Sequence, residues 1–274
     1  MLDPKWLLIS FGCTALTFLG CAQEDHSAPE THSVHWGYEG DTGPAAWASL
    51  DESFATCGSG VEQSPIDLTG ATPVSESLME RNFGRTALTV TQRAQVMDIV
   101  DNGHTIQVTN DIPMTVELDG ADYELVQYHF HAPSEHTIDG LHAPLEAHFV
   151  HKSAVGDLSV FSILVEEGAH DPIWDIVLSE LPDGPEDDRH IAGLEFDVEK
   201  FRPLPERYYR YEGSLTTPPC SENVHWVVMA EKRQISEEQM AAIVSHLHNN
   251  NRPVQPIGER ALRLMSDQES PLPP

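Results

Sequence analysis

Through the middle of the chain apolar residues recur at every second position in short runs, the period of a strand whose alternate side chains share a face. Segments 87–90, 96–100, 105–108, 115–118 and 158–165 are rich in β-branched residues, with Gly, Pro, Asn or Asp near most ends. Asp119-Gly120 predicts a hairpin turn after the fourth. Two segments switch to helical spacing. One starts at Asp171-Pro172, an N-cap followed by a first-turn proline, and runs to about residue 181. The other follows Ser236-x-x-Gln239, a capping box, and sets Met240, Ile243, Val244 and Leu247 on one stripe. The pattern predicts a mainly β (α+β) domain with a large, mostly antiparallel sheet and short peripheral helices, whose apolar stripes are core.

The same alternation organises the stretch that carries chemistry. In Gln127-Tyr128-His129-Phe130-His131 the residues Gln127, His129 and His131 share one strand face, and Tyr128 and Phe130 point to the other. A second alternating run, Leu145-Glu146-Ala147-His148-Phe149-Val150-His151, follows the turn-forming Asp139-Gly140. Paired antiparallel, it brings His148 onto the same wall, with Glu146 beside it. Three neutral imidazoles with no fourth protein ligand make an open tetrahedral zinc site whose last position is left to water. Gln127 and Glu146 are placed to fix the ring orientation of such ligands. A rival reading exists, because His129-x-His131-x3-Glu135 also fits the core of the cupin jelly rolls, which would make Glu135 a ligand. That pattern expects glycine where this chain has Tyr123 and His142.

Charge narrows the partners. A net charge of −29 excludes nucleic acid and anionic membrane surfaces, both of which need cationic patches. The first 20 residues carry one Lys and an apolar run too short to span a bilayer, which fits a signal peptide. Phe18-Leu19-Gly20-Cys21 resembles a lipoprotein cleavage box and would leave a lipid on Cys21; cleavage after Ala22 is the alternative. Either route exports the chain, to the periplasm or an outer-membrane anchor in the first case and to secretion in the second. Residues 21–34 read as an acidic tether, 35–265 as one domain without linker or repeat, and 266–274 as a flexible tail. With Cys13 lost in the leader and Cys21 at the terminus, Cys57 and Cys220 remain, and an even remainder in an exported chain favours a disulfide. Closing a loop of that length contributes at most about 5 kcal/mol.

Six blocks in order resemble the alpha-class carbonic anhydrase family. They are His35-Trp36-Gly37-Tyr38, Gln63-Ser64-Pro65-Ile66-Asp67-Leu68, Asn102-Gly103-His104, the two histidine segments, Gly213-Ser214-Leu215-Thr216-Thr217-Pro218-Pro219-Cys220, and Asn251-Arg252-Pro253-Val254-Gln255-Pro256. Ala132-Pro133 follows the second His where animal members usually carry Trp-Gly, which looks like the bacterial branch. Asn251 stands where many members carry Trp.

The resemblance implies a twisted ten-stranded sheet and reversible hydration of CO2 to bicarbonate and a proton by zinc hydroxide. It makes His129, His131 and His148 the zinc ligands, and it makes Glu135 an acceptor outside the ligand set. Thr216 then accepts from the hydroxide and donates to Glu135. Val150, Val160, Leu215, Thr217 and Trp226 match the substrate pocket. His104 matches the proton shuttle, with Tyr38, Asn102 and Gln107 ordering the water chain. His136, His142 and His151 receive only a structural reading, and Cys220 lies close enough to Thr216 for its bridge to clamp that loop. Two other classes stay open, a cupin-type oxygenase or isomerase and a silent binding protein of the same fold. The silent class typically lacks a ligand His, and none is missing here.

Overall fold

Fourteen strands and four short α-helices form among the described residues, which in this computed structural model are 34–74, 96–110, 114–185, 187–192 and 207–266. The expected strand at 87–90, the leader with Cys21, nearly all of the tether and the tail beyond residue 266 lie outside them. The strands are β1 Thr72–Val74, β2 Val96–Asp101, β3 Ile106–Asn110, β4 Thr115–Leu118, β5 Ala121–His131, β6 Thr137–Ile138 and β7 Leu141–His142. They continue with β8 Leu145–Ser153, β9 Leu158–Glu167, β10 Asp188–Ala192, β11 Arg207–Ser214, β12 Glu222–Met229, β13 Arg233–Ile235 and β14 Arg263–Ser266. Ten of them form one continuous path in the order β1-β14-β11-β12-β9-β8-β5-β3-β2-β10. With β4 on β5 and β13 on β9 the sheet reaches twelve strands. Only β1 with β14, and β9 with β12 and β13, pair in parallel. This is the large, mostly antiparallel sheet expected from the sequence. It is one sheet, with a two-stranded β6-β7 ribbon beside it, and not the double sheet of a jelly roll, so the cupin reading falls.

Local chemistry accounts for the turns and helix ends. Asp119 and Gly120 both take positive φ (53° and 78°), the two-residue hairpin conformation that joins β4 to β5. The helices are α1 Trp47–Leu50, α2 Thr56–Ser59, α3 Pro172–Leu178 and α4 Glu237–Val244. Asp171 caps α3 through the Ile173 amide, and both halves of the Ser236/Gln239 capping box form on α4. Helix α3 stops short of residue 181. Leu181 precedes Pro182, a position from which the ring of proline excludes helical backbone.

The two faces of the sheet do different work. Tyr128, Phe130, Phe149 and Phe161 lie in the main core with Trp174 of α3 and with Met240 and Ile243 of α4. On the other face a smaller apolar cluster gathers around Trp226, Tyr211 and Val160. A bulge at Val126 decides which residues of β5 meet which face. Leu125 opposes His151 and packs in the main core, whereas Gln127 opposes Val150 on the other face. Simple alternation would have put Leu125 and Gln127 together; one extra residue reverses the side chains beyond it.

His151, on the core face of β8, donates from Nδ1 to the Phe149 carbonyl at 2.8 Å and stands edge-on to Phe161. Burial pushes its pKa down to about 4, opposed by that hydrogen bond. The unfolded chain takes up a proton near pH 6.5 that the fold refuses, so this contribution is complete above 6.5 and is lost as pH falls towards 4. Its size is on the order of 3 kcal/mol. His151→Gln is expected to flatten the dependence of unfolding free energy on pH between 6.5 and 4, measured by urea denaturation; a slope equal to the parent's would refute this.

Candidate metal centre

Strand register builds the site in rows. Across the sheet Gln107 of β3 opposes His129 of β5, His129 opposes His148 of β8, and His148 opposes Ser162 of β9. One row along, His131 opposes Glu146. On the other side of the histidine row, Gln127 opposes Val150, Val150 opposes Val160, Val160 opposes Trp226 and Trp226 opposes Tyr211. All share a face because they lie two apart along each strand. One nitrogen from each of His129, His131 and His148 falls within 4.8 Å of the others, in a geometry able to hold a metal ion.

The remaining ring nitrogens are already engaged. His129 Nδ1 meets Gln127 Oε1 at 2.8 Å, His131 Nδ1 meets the Asn250 carbonyl at 2.7 Å, and His148 Nε2 meets Glu146 Oε1 at 2.8 Å. Each acceptor holds the proton on its own side of the ring, and the opposite nitrogen is left with a lone pair facing the centre. His131 Nε2 is buried without a hydrogen-bond partner, as is Glu135 Oε2 3.6 Å away. Orphaned buried atoms of this kind are costly unless something else satisfies them. An all-imidazole donor set with one such orphan suits Zn²⁺. A second group, His136, Glu146 and His148, is close enough to hold a metal, but its atoms bond one another: Glu146 Oε1 accepts from His136 Nδ1 at 2.6 Å and from His148.

Protonation follows from burial and neighbours. Burial lowers all three rings, His131 to about 4, and mutual repulsion helps to hold His129 well below the usual range. Neutral imidazoles are the form that binds metal. Burial pushes Glu146 up, but His136 and His148 more than offset it and hold it well below the usual carboxylate range. Glu135, also fully buried, is pushed by burial up to about 7 against the pull of His148, the Arg252 amide and the Thr216 hydroxyl.

The other expected site residues fall around this centre. Val150, Val160, Leu215 and Trp226 belong to one apolar cluster, and Thr217 continues the loop, its carbonyl accepting from the Cys220 amide. His104 sits in the turn between β2 and β3, its ring stacked on Trp36 at 3.8 Å. Burial, then the neighbouring His35, lowers its pKa. Asn102 spends its carbonyl oxygen on the His104 and Thr105 amides and leaves its amide group to Gln107 at 3.4 Å. Tyr38 packs edge-on to Trp36 and Trp47, and burial with the Glu135 charge raises its pKa well above the usual value.

Cys57 and Cys220 form the expected disulfide, 163 residues apart. Its surroundings tie it to the centre: Arg252 donates from its guanidinium to the carbonyls of Cys57 and Ser64 and from its amide to Glu135 Oε1. Arg252 lies in a motif noted in the sequence, but its role was not legible, nor were those of Asn250 and His136. Asn250 acts on His131 through a backbone oxygen, which leaves no trace in residue type. His136 joins Glu146 to Tyr211, whose hydroxyl is 2.7 Å from His136 Nε2; its position next to Glu135 was the available clue.

A eukaryotic-type carbonic anhydrase family model matches residues 42–266. A carbonic anhydrase from Pectobacterium carotovorum is 40% identical over 240 residues, covering 86% of this chain and 93% of that protein. One from Nostoc sp. is 36% identical over 258 residues, covering 92% and 93%. The alpha-carbonic anhydrase of Thermovibrio ammonificans, solved with the inhibitor sulfanilamide, is 38% identical, with a TM-score of 0.74 over 85% of this chain and 100% of that one.

Because Glu146 fixes the ring of His148, Glu146→Gln is expected to weaken Zn²⁺ binding by roughly ten- to a hundredfold. Chelator competition measures this, and an affinity equal to the parent's would rule the role out.

Proposed function

The chain belongs to the eukaryotic-type (alpha) carbonic anhydrase family, and on that premise we propose that it catalyses the reversible hydration of CO2 to bicarbonate and a proton at a zinc ion held by His129, His131 and His148. The observation that carries the reading is the convergence of three imidazole nitrogens whose outer nitrogens are all engaged, directly beside an apolar row. Zinc bound there supplies Lewis acidity that brings the pKa of a water towards neutrality, a property for which carbonic anhydrases are themselves the standard example. Three neutral ligands preserve the full cationic charge, which a carboxylate in their place would diminish.

The protein's own groups do the rest. Val150, Val160, Leu215 and Trp226 offer CO2, which has no net dipole, an apolar berth next to a polar wall. Glu135 accepts from the Thr216 hydroxyl once it is ionised, and a divalent charge nearby favours that form over the neutral acid. Thr216 then has only lone pairs to present to a nucleophile, which turns the nucleophile's own lone pair towards the carbon. His104 takes the proton released, through water ordered by Tyr38, Asn102 and Gln107. Imidazole suits this step because its ordinary pKa lies near the working pH.

Export is the matching proposal for location. The leader suggests it and the disulfide supports it, since such bonds persist in oxidising compartments. A diacylglyceryl mass on Cys21 would mark a membrane-anchored lipoprotein, and a chain starting at Gln23 a secreted one.

The purified zinc protein is expected to hydrate CO2 in a stopped-flow assay and to lose activity when a chelator removes the metal; zinc-loaded protein without activity would overturn the reading. His104→Ala is expected to lower kcat by roughly one to two orders of magnitude at low buffer while kcat/KM stays nearly constant. Imidazole buffer should restore the loss. An equal fall in kcat/KM would make His104 a structural residue.

A further inference from the structure

His104 does not border open solvent alone. A cavity of about 360 Å³ lies against it, and His35, His246 and His248 share its walls with Asp101 and Glu39. Four histidines therefore line one small space. The ring of His104 stacks on Trp36, which also lines the cavity.

The wall that carries His246 and His248 is mechanically part of the metal centre. It follows α4, where the His246 amide bonds to the Ile243 carbonyl, and it ends in Asn250. Asn250 donates from Nδ2 to the His104 carbonyl at 2.9 Å and to the Phe130 carbonyl at 2.8 Å, and it accepts from the Ala132 amide. Its own carbonyl receives His131 Nδ1. Between them, His248 and Asn249 take positive φ (40° and 53°), a left-handed turn by which the segment folds back to Asn250. One segment thus holds a metal-facing histidine and the backbone of His104, and it carries two further histidines.

We infer that His246 and His248 are proton-carrying residues that extend the route from His104 to solvent across this cavity, an inference that rests on the proposed CO2 hydration. In the step the N–H bond of the His104 imidazolium breaks and an N–H bond forms on His246 or His248, directly or through water. The acceptor then releases its proton to buffer. Charge moves by one proton and no electrons are exchanged. The cavity has room for several waters, and the carboxylates of Asp101 and Glu39 on its wall offset the charge that the moving proton carries. Tyr38, also on the wall, has a pKa held well above the usual value and stays a neutral hydroxyl. The lowered pKa of His104 favours rapid release of the proton it has taken.

The test is the double variant His246→Gln/His248→Asn in the zinc protein. Asn is chosen at 248 because it tolerates left-handed backbone. The expected result is a two- to fivefold fall, on the order of a partial loss of acid–base catalysis, in kcat at low buffer, with kcat/KM unchanged and imidazole buffer restoring the rate. An unchanged kcat at low buffer, or an equal fall in kcat/KM, would overturn the relay while leaving CO2 hydration itself intact. A parent with no CO2 hydration would overturn both. The titration of His104, followed by proton NMR, reads the coupling without activity. Replacing both histidines is expected to move its midpoint, because sites that exchange a proton across one cavity titrate together, and an unmoved midpoint would show that the cavity does not couple them.

Discussion

The Glu146 carboxylate is shut off from solvent, and it remains an anion because five donors from four residues converge on it: the amides of Glu135 and His136, the rings of His136 and His148, and the hydroxyl of Ser162. Burying a charge costs several kcal/mol unless its lone pairs are satisfied, so these contacts are conditions of the fold as well as of the site. They have three consequences. The ring of His148 is held with Nδ1 towards the centre, the chain leaving β5 is turned so that Glu135 comes beneath the ligands, and β9 is tied to the same point through Ser162. Glu135 is fixed in turn from the far side by the Arg252 amide, and Arg252 is held by the Cys57 carbonyl next to the disulfide. A covalent bond formed late in the sequence, at Cys220, is thereby linked to a carboxylate 85 residues earlier through main-chain groups.

What the sequence disclosed was whatever depends on period and residue type. Alternation in β5 and β8 put His129, His131 and His148 on one wall and Tyr128 and Phe130 in the core, and both placements hold because the pairing is regular from Gln127 onward. Capping chemistry located the starts of α3 and α4, and Asp119-Gly120 located a hairpin. The bulge at Val126 was not legible, since an extra residue leaves the composition of a strand unchanged and alters only register. Asn250 was hidden for a different reason: it holds His131 with a backbone oxygen that any residue owns. The roles of Thr216, Glu135 and His104 came from family resemblance. Each taken alone is an ordinary turn residue, surface acid or loop histidine.

Strand order explains how one small site could serve two kinds of traffic. Along the path β12-β9-β8-β5-β3-β2 the metal-facing histidines occupy β5 and β8. The apolar residues lie towards β9 and β12, with Val160 and Trp226, and the His104 turn lies towards β3 and β2. An uncharged, nonpolar molecule is favoured on the first flank, where no titrating group interrupts the row from Val150 to Trp226. Groups able to relay a proton lie on the second, where Gln107 and Asn102 adjoin the His104 turn and four histidines line its cavity. Under the proposed function CO2 and the proton therefore have no need to share a path, and a change on one flank can alter one rate with little effect on the other. The separation rests on register: slipping β5 by one residue against β8 would send the histidines into the core and Tyr128 and Phe130 into the site, abolishing both flanks at once.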